Sequence, residues 1–370
     1  MVLILVPFKQ WNLVYRQRIC RYKDLERKIP LSKDEKEFFE KAGDKLPFPL
    51  SIPESYLRLA GSEVDDPIRL QCIPRKQELE AVAGESLDPL EDQEFSPVPR
   101  LVHRYRDRAL LLVTDQCGLS CRFCFRRHFA GNGAGMIRQH ELHLILNYLK
   151  KHLEIQELIL SGGDPLTLSD ERFFALVDTL RFSRPGILLR VSSRMPVAIP
   201  SRITRRFIYG LKARRPFWFI LHVNHPRELS PEAGEALSRL VDGGVPILSQ
   251  TVLLRGVNDT VDVLEELFHK LAAQRVKPYY LFQGDLARGT SHFRVPISKG
   301  LELMRELRNR VSSLSLPVYA VDLPGGGGKV PLTESYLKGE DQESYIFLNT
   351  EGKEFRYPKE GYIEGAGTNE

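Results

Sequence analysis

From Ala109 onward, short β-rich apolar runs alternate with amphipathic helical stretches, and this rhythm constrains the fold more than any other feature of the chain. The runs are 109–114 (ALLLVT), 157–161 (ELILS), 187–192 (ILLRVS), 217–223 (FWFILHV), 245–254 (VPILSQTVLL) and 277–283 (KPYYLFQ). Helical patterns lie between them at 138–152, 170–182, 201–214, 230–242 and 260–275. In the first of these, Leu142, Ile145, Leu146 and Leu149 share one helical face. Repeated strand–helix alternation means a parallel sheet covered by helices. Six units at intervals of roughly 30 residues predict a barrel or partial barrel, whose chemistry gathers at the C-terminal strand ends. A further strand candidate spans 317–322.

The flanks differ. Residues 1–95 read as a helical extension with a connecting arm, 96–330 as the barrel core and 331–370 as a short C-terminal arm with one strand candidate at 345–349. The charged stretch 21–45 predicts exposed helix, and the acidic, Pro-containing stretch 84–100 predicts a long connection. Met1 to Phe8 is apolar but short and has no basic n-region, so it is not expected to be a signal peptide. No apolar run approaches the ~18 residues of a membrane span. A cytoplasmic protein without membrane association is expected. The 53 basic residues nearly balance 48 acidic ones, for a net charge of +5, so nothing calls for a nucleic-acid partner.

Five cysteines are present, and three form the run Cys117-x3-Cys121-x2-Cys124 just past the first strand, which closes on Thr114-Asp115-Gln116. Thiolates are the usual ligands of iron–sulfur clusters. Three of them hold three irons of a 4Fe–4S cluster and leave the fourth open to chelate the amino and carboxylate groups of a methionine. A structural zinc site needs four ligands, for which His128 is the available fourth. An even disulfide framework does not fit an odd, clustered set.

This spacing at a first barrel strand resembles the radical S-adenosylmethionine superfamily. The match continues with Ser161-Gly162-Gly163-Asp164-Pro165 after the second strand. Glycines there let backbone approach a ligand closely, and the acid can accept bonds from a methionine ammonium. Other features extend the pattern: His103-Arg104-Tyr105-Arg106-Asp107-Arg108 before the first strand, Arg126-Arg127 after the third cysteine, Gln283-Gly284-Asp285 after the sixth strand, and Asp322-Leu323-Pro324 followed by Gly325 to Gly328 and Lys329. A lysine on a four-glycine tether can reach into a barrel mouth and form a Schiff base with pyridoxal phosphate. Arg104 and Arg108 could hold its phosphate. The bland alternatives are a mobile loop and surface arginines paired with Asp107.

Together these residues resemble the lysine 2,3-aminomutase family, from about Leu46 to the end of the glycine-rich segment. Ser193-Arg194-x-Pro196, His222-x-Asn224-His225-Pro226, Gln250 to Asp259 and His292-Phe293-Arg294 belong to the same match. The resemblance implies a radical S-adenosylmethionine partial (β/α)6 barrel. It implies three cofactors: a 4Fe–4S cluster on Cys117, Cys121 and Cys124, S-adenosylmethionine, and pyridoxal 5′-phosphate on Lys329. By the same carry-over Arg104, Tyr105 and Arg108 contact pyridoxal phosphate. Ser161, Gly162, Gly163, Asp164, Ser193, His222 and Gln250 lie around S-adenosylmethionine and the shared pocket. Arg126 binds the substrate α-carboxylate, and Asp285 and Asp322 bind the side-chain ammonium of L-lysine. The implied reaction moves an amino group from C2 to C3, giving β-lysine, through a 5′-deoxyadenosyl radical and an azacyclopropylcarbinyl radical. An external one-electron reductant such as flavodoxin or ferredoxin is implied.

The chain departs from the fermentative type in places. No cysteine follows Cys124, so the family's cysteine-rich zinc segment is missing and a dimer is expected rather than a tetramer. Phe282 stands where a tyrosine is expected. Cys124-Phe125-Arg126-Arg127-His128-Phe129 resembles the branch that makes β-lysine for elongation factor P, an alternative role for the same reaction. Another amino acid 2,3-aminomutase is a further alternative. A glutamate enzyme should replace the acids at 285 and 322 with basic or neutral groups. A non-catalytic iron–sulfur module would leave the lysine and the paired acids without a purpose.

Overall fold

The computed structural model describes residues 11–43 and 45–359; the apolar Met1 to Phe8 stretch and the end of the C-terminal arm lie outside them. All six apolar runs are strands, and the candidate at 317–322 is a seventh. With labels in chain order, the strands are β1 Leu101–Tyr105, β2 Arg108–Thr114, β3 Glu157–Gly162, β4 Leu188–Ser193, β5 Phe217–His222, β6 Ile247–Val252, β7 Val276–Phe282, β8 Val318–Leu323 and β9 Gly328–Pro331. They form one nine-stranded sheet in sequence order. β2 through β8 run parallel, while β1 and β9 are antiparallel edges.

Strand periodicity sorts the faces. Leu158 and Leu160 on β3 are fully buried in the core under the helices, whereas Glu157, Ile159 and Ser161 point into the enclosed space. The covering helices include Gln139–Lys151, Asp170–Ser183, Arg205–Lys212, Pro231–Asp242 and Val261–Ala273. Helix Ile297–Arg310, absent from the sequence reading, leads into β8 and buries Leu303, Met304 and Leu307.

Two expectations are corrected, and two segments gain detail. The segment before the first core strand is itself a strand, because Arg106-Asp107 turns the chain and pairs Tyr105 with Arg108. The four glycines are not a free tether. They turn β8 back on itself, with Gly325, Gly326 and Gly328 at φ of 66°, 72° and 74°, and place Lys329 opposite Asp322 on a strand. The charged stretch 21–45 is not all exposed: helix Lys33–Ala42, capped by Ser32, buries Glu35, Phe38 and Phe39, and Glu35 meets the buried Arg69 at 2.6 Å. The long connection 84–100 packs as a strap, with Ser86 N–H bonded to Leu286 O at 2.9 Å and Asp92 buried. The C-terminal arm holds a three-stranded meander, β10 Leu337–Glu340, β11 Ser344–Leu348 and β12 Glu354–Pro358.

The sheet's two edges do not pair by backbone. A side chain spans them instead: Tyr105 Oη on β1 accepts the Lys329 N–H of β9 at 2.8 Å. The contact that nearly closes the arc therefore also fixes the lysine.

Candidate active site

The strand ends enclose a cavity of about 500 Å³, lined by every residue to which the resemblance gives a cluster, cofactor or substrate role, whereas Arg127 and the four glycines before Lys329 are not in its lining. Each reaches it for a topological reason. The cysteine loop follows β2, Ser161 to Asp164 end β3, Ser193 ends β4, His222 ends β5, and Asp285 follows β7.

The cysteine loop has no regular structure, so other segments brace it. Ser51 Oγ donates to the Gly118 carbonyl at 3.2 Å, and Ser51 O accepts from Ser120 N–H at 2.8 Å. Arg122 N–H donates to Gln71 O at 2.9 Å, while its guanidinium bonds Glu78 through Nε and Nη2 at 2.8 and 2.6 Å. These partners belong to the N-terminal extension, which thus acts as a buttress. The three thiols resist ionisation in this setting. Burial, then the charge of neighbouring cysteines, pushes Cys117 well up; burial foremost lifts Cys124 to about 11. Three thiolates gathered this closely would need a compensating cation, which an iron–sulfur cluster would supply. His128 does not join them. Its Nδ1 lies 3.0 Å from Leu87 O and its Nε2 3.8 Å from Asp88, so the four-ligand zinc alternative loses its fourth ligand.

Gly162 and Gly163 form a tight floor. A Cβ at Gly162, whose φ is 114°, would sit 2.5 Å from Thr114 O, and one at Gly163 2.4 Å from Gln116 O. The Asp164 carboxylate is already engaged: it accepts from Leu166 N–H, Ser193 Oγ and Arg194 N–H, each at 2.9 Å. It organises β4's end as well as lining the cavity. Burial still holds its pKa up at about 6. His222 stacks on Phe123 at 5.5 Å, and its buried Nε2 has no hydrogen-bond partner. Burial, then the nearby Arg194 charge, pulls it down to about 3, so it is a neutral imidazole with an open position.

Across the cavity, Lys329 Nζ donates to Asp322 Oδ2 at 2.7 Å and lies 3.9 Å from the Phe282 ring centroid. The expected tyrosine is thus replaced by an apolar face beneath the amine. Burial lowers the Lys329 pKa, with Asp322 opposing the shift. Asp285 is pushed up to about 7, first by burial and next by the Asp322 charge. Arg104 stacks on Phe95 at 4.7 Å, yet its Nε and Nη2 are buried without partners. An unpaired buried guanidinium is costly and fits a phosphate dianion. Arg108 covers the Tyr105 ring at 3.8 Å and pairs with Asp107 at 2.9 Å.

Two residues escaped the sequence reading as site residues. Asp92, from the strap, accepts from Arg126 Nε at 2.9 Å with both side chains buried. Nothing distinguished it among the acids of 84–100. Arg194 donates from Nη1 to Cys121 Sγ at 2.8 Å. Its place beside Ser193 was the available signal.

A protein named L-lysine 2,3-aminomutase from Fusobacterium nucleatum is 40% identical over 346 residues, covering 93% of this chain and 81% of its own length. The chain belongs to the lysine 2,3-aminomutase family. The enzyme of that name from Clostridium subterminale is also 40% identical, over 93% of this chain and 83% of its own. A glutamate 2,3-aminomutase from Clostridioides difficile is 36% identical, over 96% and 83%. Residues 304–369 match the family model described as Lysine-2,3-aminomutase, and residues 106–192 match one described as a 4Fe-4S single cluster domain. A radical SAM methyltransferase structure from Sphaerobacter thermophilus aligns at a TM-score of 0.43 with 17% identity, over 60% of this chain and 68% of that one. The lysine 2,3-aminomutases named above are isomerases. No helix among the described residues is long and apolar enough to cross a membrane.

Proposed function

We propose that this chain is an L-lysine 2,3-aminomutase that uses a 4Fe–4S cluster, S-adenosylmethionine and pyridoxal phosphate. The observation that carries this reading is one cavity lined by three cysteines, an anchored lysine, a carboxylate pair and a buried arginine. When bound, the cluster and S-adenosylmethionine supply a hydrogen-abstracting radical, and pyridoxal phosphate supplies a π-system able to receive the migrating nitrogen.

The chain's own residues then hold and orient. Lys329 offers the anchoring amine, and Asp322 can take its proton at 2.7 Å. Arg104 and Arg108 bind the phosphate, and Tyr105 fixes the lysine strand. Arg126, held by Asp92, meets the substrate α-carboxylate. Asp285 and Asp322 meet the ε-ammonium, which replaces the Lys329 charge between them. An external one-electron donor completes the set. A substrate ending in a carboxylate would face repulsion from both acids, which favours lysine over glutamate.

Anaerobic incubation of the reconstituted protein with L-lysine, followed by chromatography, should reveal β-lysine, and L-glutamate should not turn over. Each charge-assisted bond is worth roughly 1.5–3 kcal/mol. Asp285→Asn should therefore lower kcat/KM by about ten- to a hundredfold, with both cofactors retained. Asp322→Asn should lose more, because Asp322 also serves Lys329. Efficient glutamate turnover, or undiminished lysine turnover in both variants, would sink the substrate assignment.

The raised Asp285 pKa gives a pH signature. Below about 7 the carboxyl is largely protonated and offers no charge; above it, the carboxylate forms and attracts the ammonium. Lysine affinity should rise from about pH 6 to about pH 8, and Asp285→Asn should flatten that rise. Equilibrium binding of lysine without reductant measures it. An equal slope in both proteins would exclude Asp285 as the titrating group.

A further inference from the structure

We propose that Arg194 tunes the reduction potential of the iron–sulfur cluster by donating a hydrogen bond from Nη1 to the sulfur of Cys121. This rests on the ligand reading of Cys117, Cys121 and Cys124. The Nη1···Sγ distance is 2.8 Å, and the Arg194 residue is 6% exposed.

The guanidinium is locked in place rather than resting by chance against the sulfur. The two N–H groups of Nη2 are shared among Glu228 Oε2 at 2.7 Å, Tyr56 Oη at 2.8 Å and Gln71 Oε1 at 2.6 Å. Glu228 is fully buried and is itself fixed by the backbone N–H groups of Asn224 and His225, at 2.9 and 3.0 Å. Gln71 also accepts from Asn224 Nδ2 at 3.1 Å. The Arg194 backbone N–H is held by Asp164 at 2.9 Å, and the Tyr56 and Phe123 rings each lie 5.3 Å from the guanidinium carbon. Five segments thus converge to aim one nitrogen at one cysteine. A merely structural arginine would need only Glu228; the arm toward the sulfur is additional.

Reduction adds one electron to the cluster, so a donor on a ligand sulfur favours the reduced form and raises the potential. Outer partners of metal ligands act in this way on the metal's electronics. Glu228 has the opposite sign but sits on the far nitrogen, bonded to Nη2 rather than Nη1. Removing the donor should make the cluster harder to reduce, and removing Glu228 alone should make it easier.

Arg194→Met alone would leave Glu228 buried without its partner and risk misfolding. The test therefore uses Arg194→Met/Glu228→Gln, which removes both charges together, beside Glu228→Gln and the unmodified protein. Each is reconstituted anaerobically, its iron and sulfide are counted, and its midpoint potential is measured by optical and EPR-monitored redox titration without S-adenosylmethionine or substrate. The double variant should show at least a tenfold lower ratio of reduced to oxidised cluster at a fixed potential, or about 59 mV for a one-electron couple. Glu228→Gln should shift the other way. A double variant with full iron and a ratio within twofold of the unmodified protein overturns the proposal. If the double variant holds no cluster, Glu228→Gln decides, and an unmoved potential there overturns it. Retention of the full cluster by Cys121→Ala would instead overturn the ligand reading itself, which keeps the two failures distinct.

Discussion

Lys329→Ala is expected to abolish lysine turnover while leaving the iron–sulfur absorbance intact. An amine must be neutral to attack an aldehyde, and an exposed lysine is protonated at neutral pH. Burial depresses the Lys329 pKa, and Asp322 at 2.7 Å is placed to receive the proton. The Phe282 face 3.9 Å away keeps water from one side of the amine. The β8–β9 hairpin and the Tyr105 bond hold the lysine backbone in place, so alanine should be tolerated without loss of the strand. The loss in turnover should reach about three orders of magnitude or more, the scale seen when a covalent-catalysis residue is removed. Borohydride trapping followed by peptide mapping gives the direct readout: the pyridoxyl adduct should map to Lys329 and vanish in the variant. Other lysines are poor candidates. Lys277 Nζ is tied to the carbonyls of Ser313, Leu314 and Leu316 at 2.8–2.9 Å, and Lys299 pairs with Glu302 on the surface. An adduct on either would overturn the assignment.

The barrel was legible because strand and helix periodicities alternate cleanly from 109 to 283, and each apolar run fell on a strand. What escaped is what periodicity cannot encode. The strand Leu101–Tyr105 has only two apolar residues before His103 and Arg104, too short a run to register as a strand; its pairing with β2 comes from the Arg106-Asp107 turn. Four consecutive glycines signal freedom, yet the positive φ values of Gly325, Gly326 and Gly328 serve a tight hairpin. Glu35 and Asp92 lie in charge-rich stretches, where an exposed acid and one buried against an arginine look identical in sequence. Their partners, Arg69 and Arg126, lie 34 residues away in each case. Long-range ion pairs leave no local mark. The same limit hid Arg194, whose anchors at 56, 71 and 228 meet only in the folded chain.

Replacing Cys117, Cys121 or Cys124 by alanine should each eliminate a stable 4Fe–4S signal and all reductive cleavage of S-adenosylmethionine. The three thiols line one cavity, and two ligands cannot hold a four-iron cluster whose fourth iron must stay open. Their raised pKa values point the same way: burial foremost disfavours all three thiolates, and cysteine neighbours add to this at Cys117 and Cys124, so a bound cation would stabilise the ionised set. Removing one sulfur leaves two thiolates against a deficient cluster that water or oxygen can strip. The remaining cysteines provide internal controls. Cys20 is exposed, and Cys72 is buried with its thiol donating to Ile68 O at 3.3 Å. Cys72→Ala removes a small core group and should cost roughly 1 kcal/mol or somewhat more in stability, visible as a lower Tm, without touching the cluster. Cys20→Ala should change neither. Iron and sulfide counts with EPR of the dithionite-reduced protein check all five variants together. Loss of the cluster on replacing Cys20, or its survival in any of the three loop variants, would show that the ligand set is drawn from the wrong cysteines.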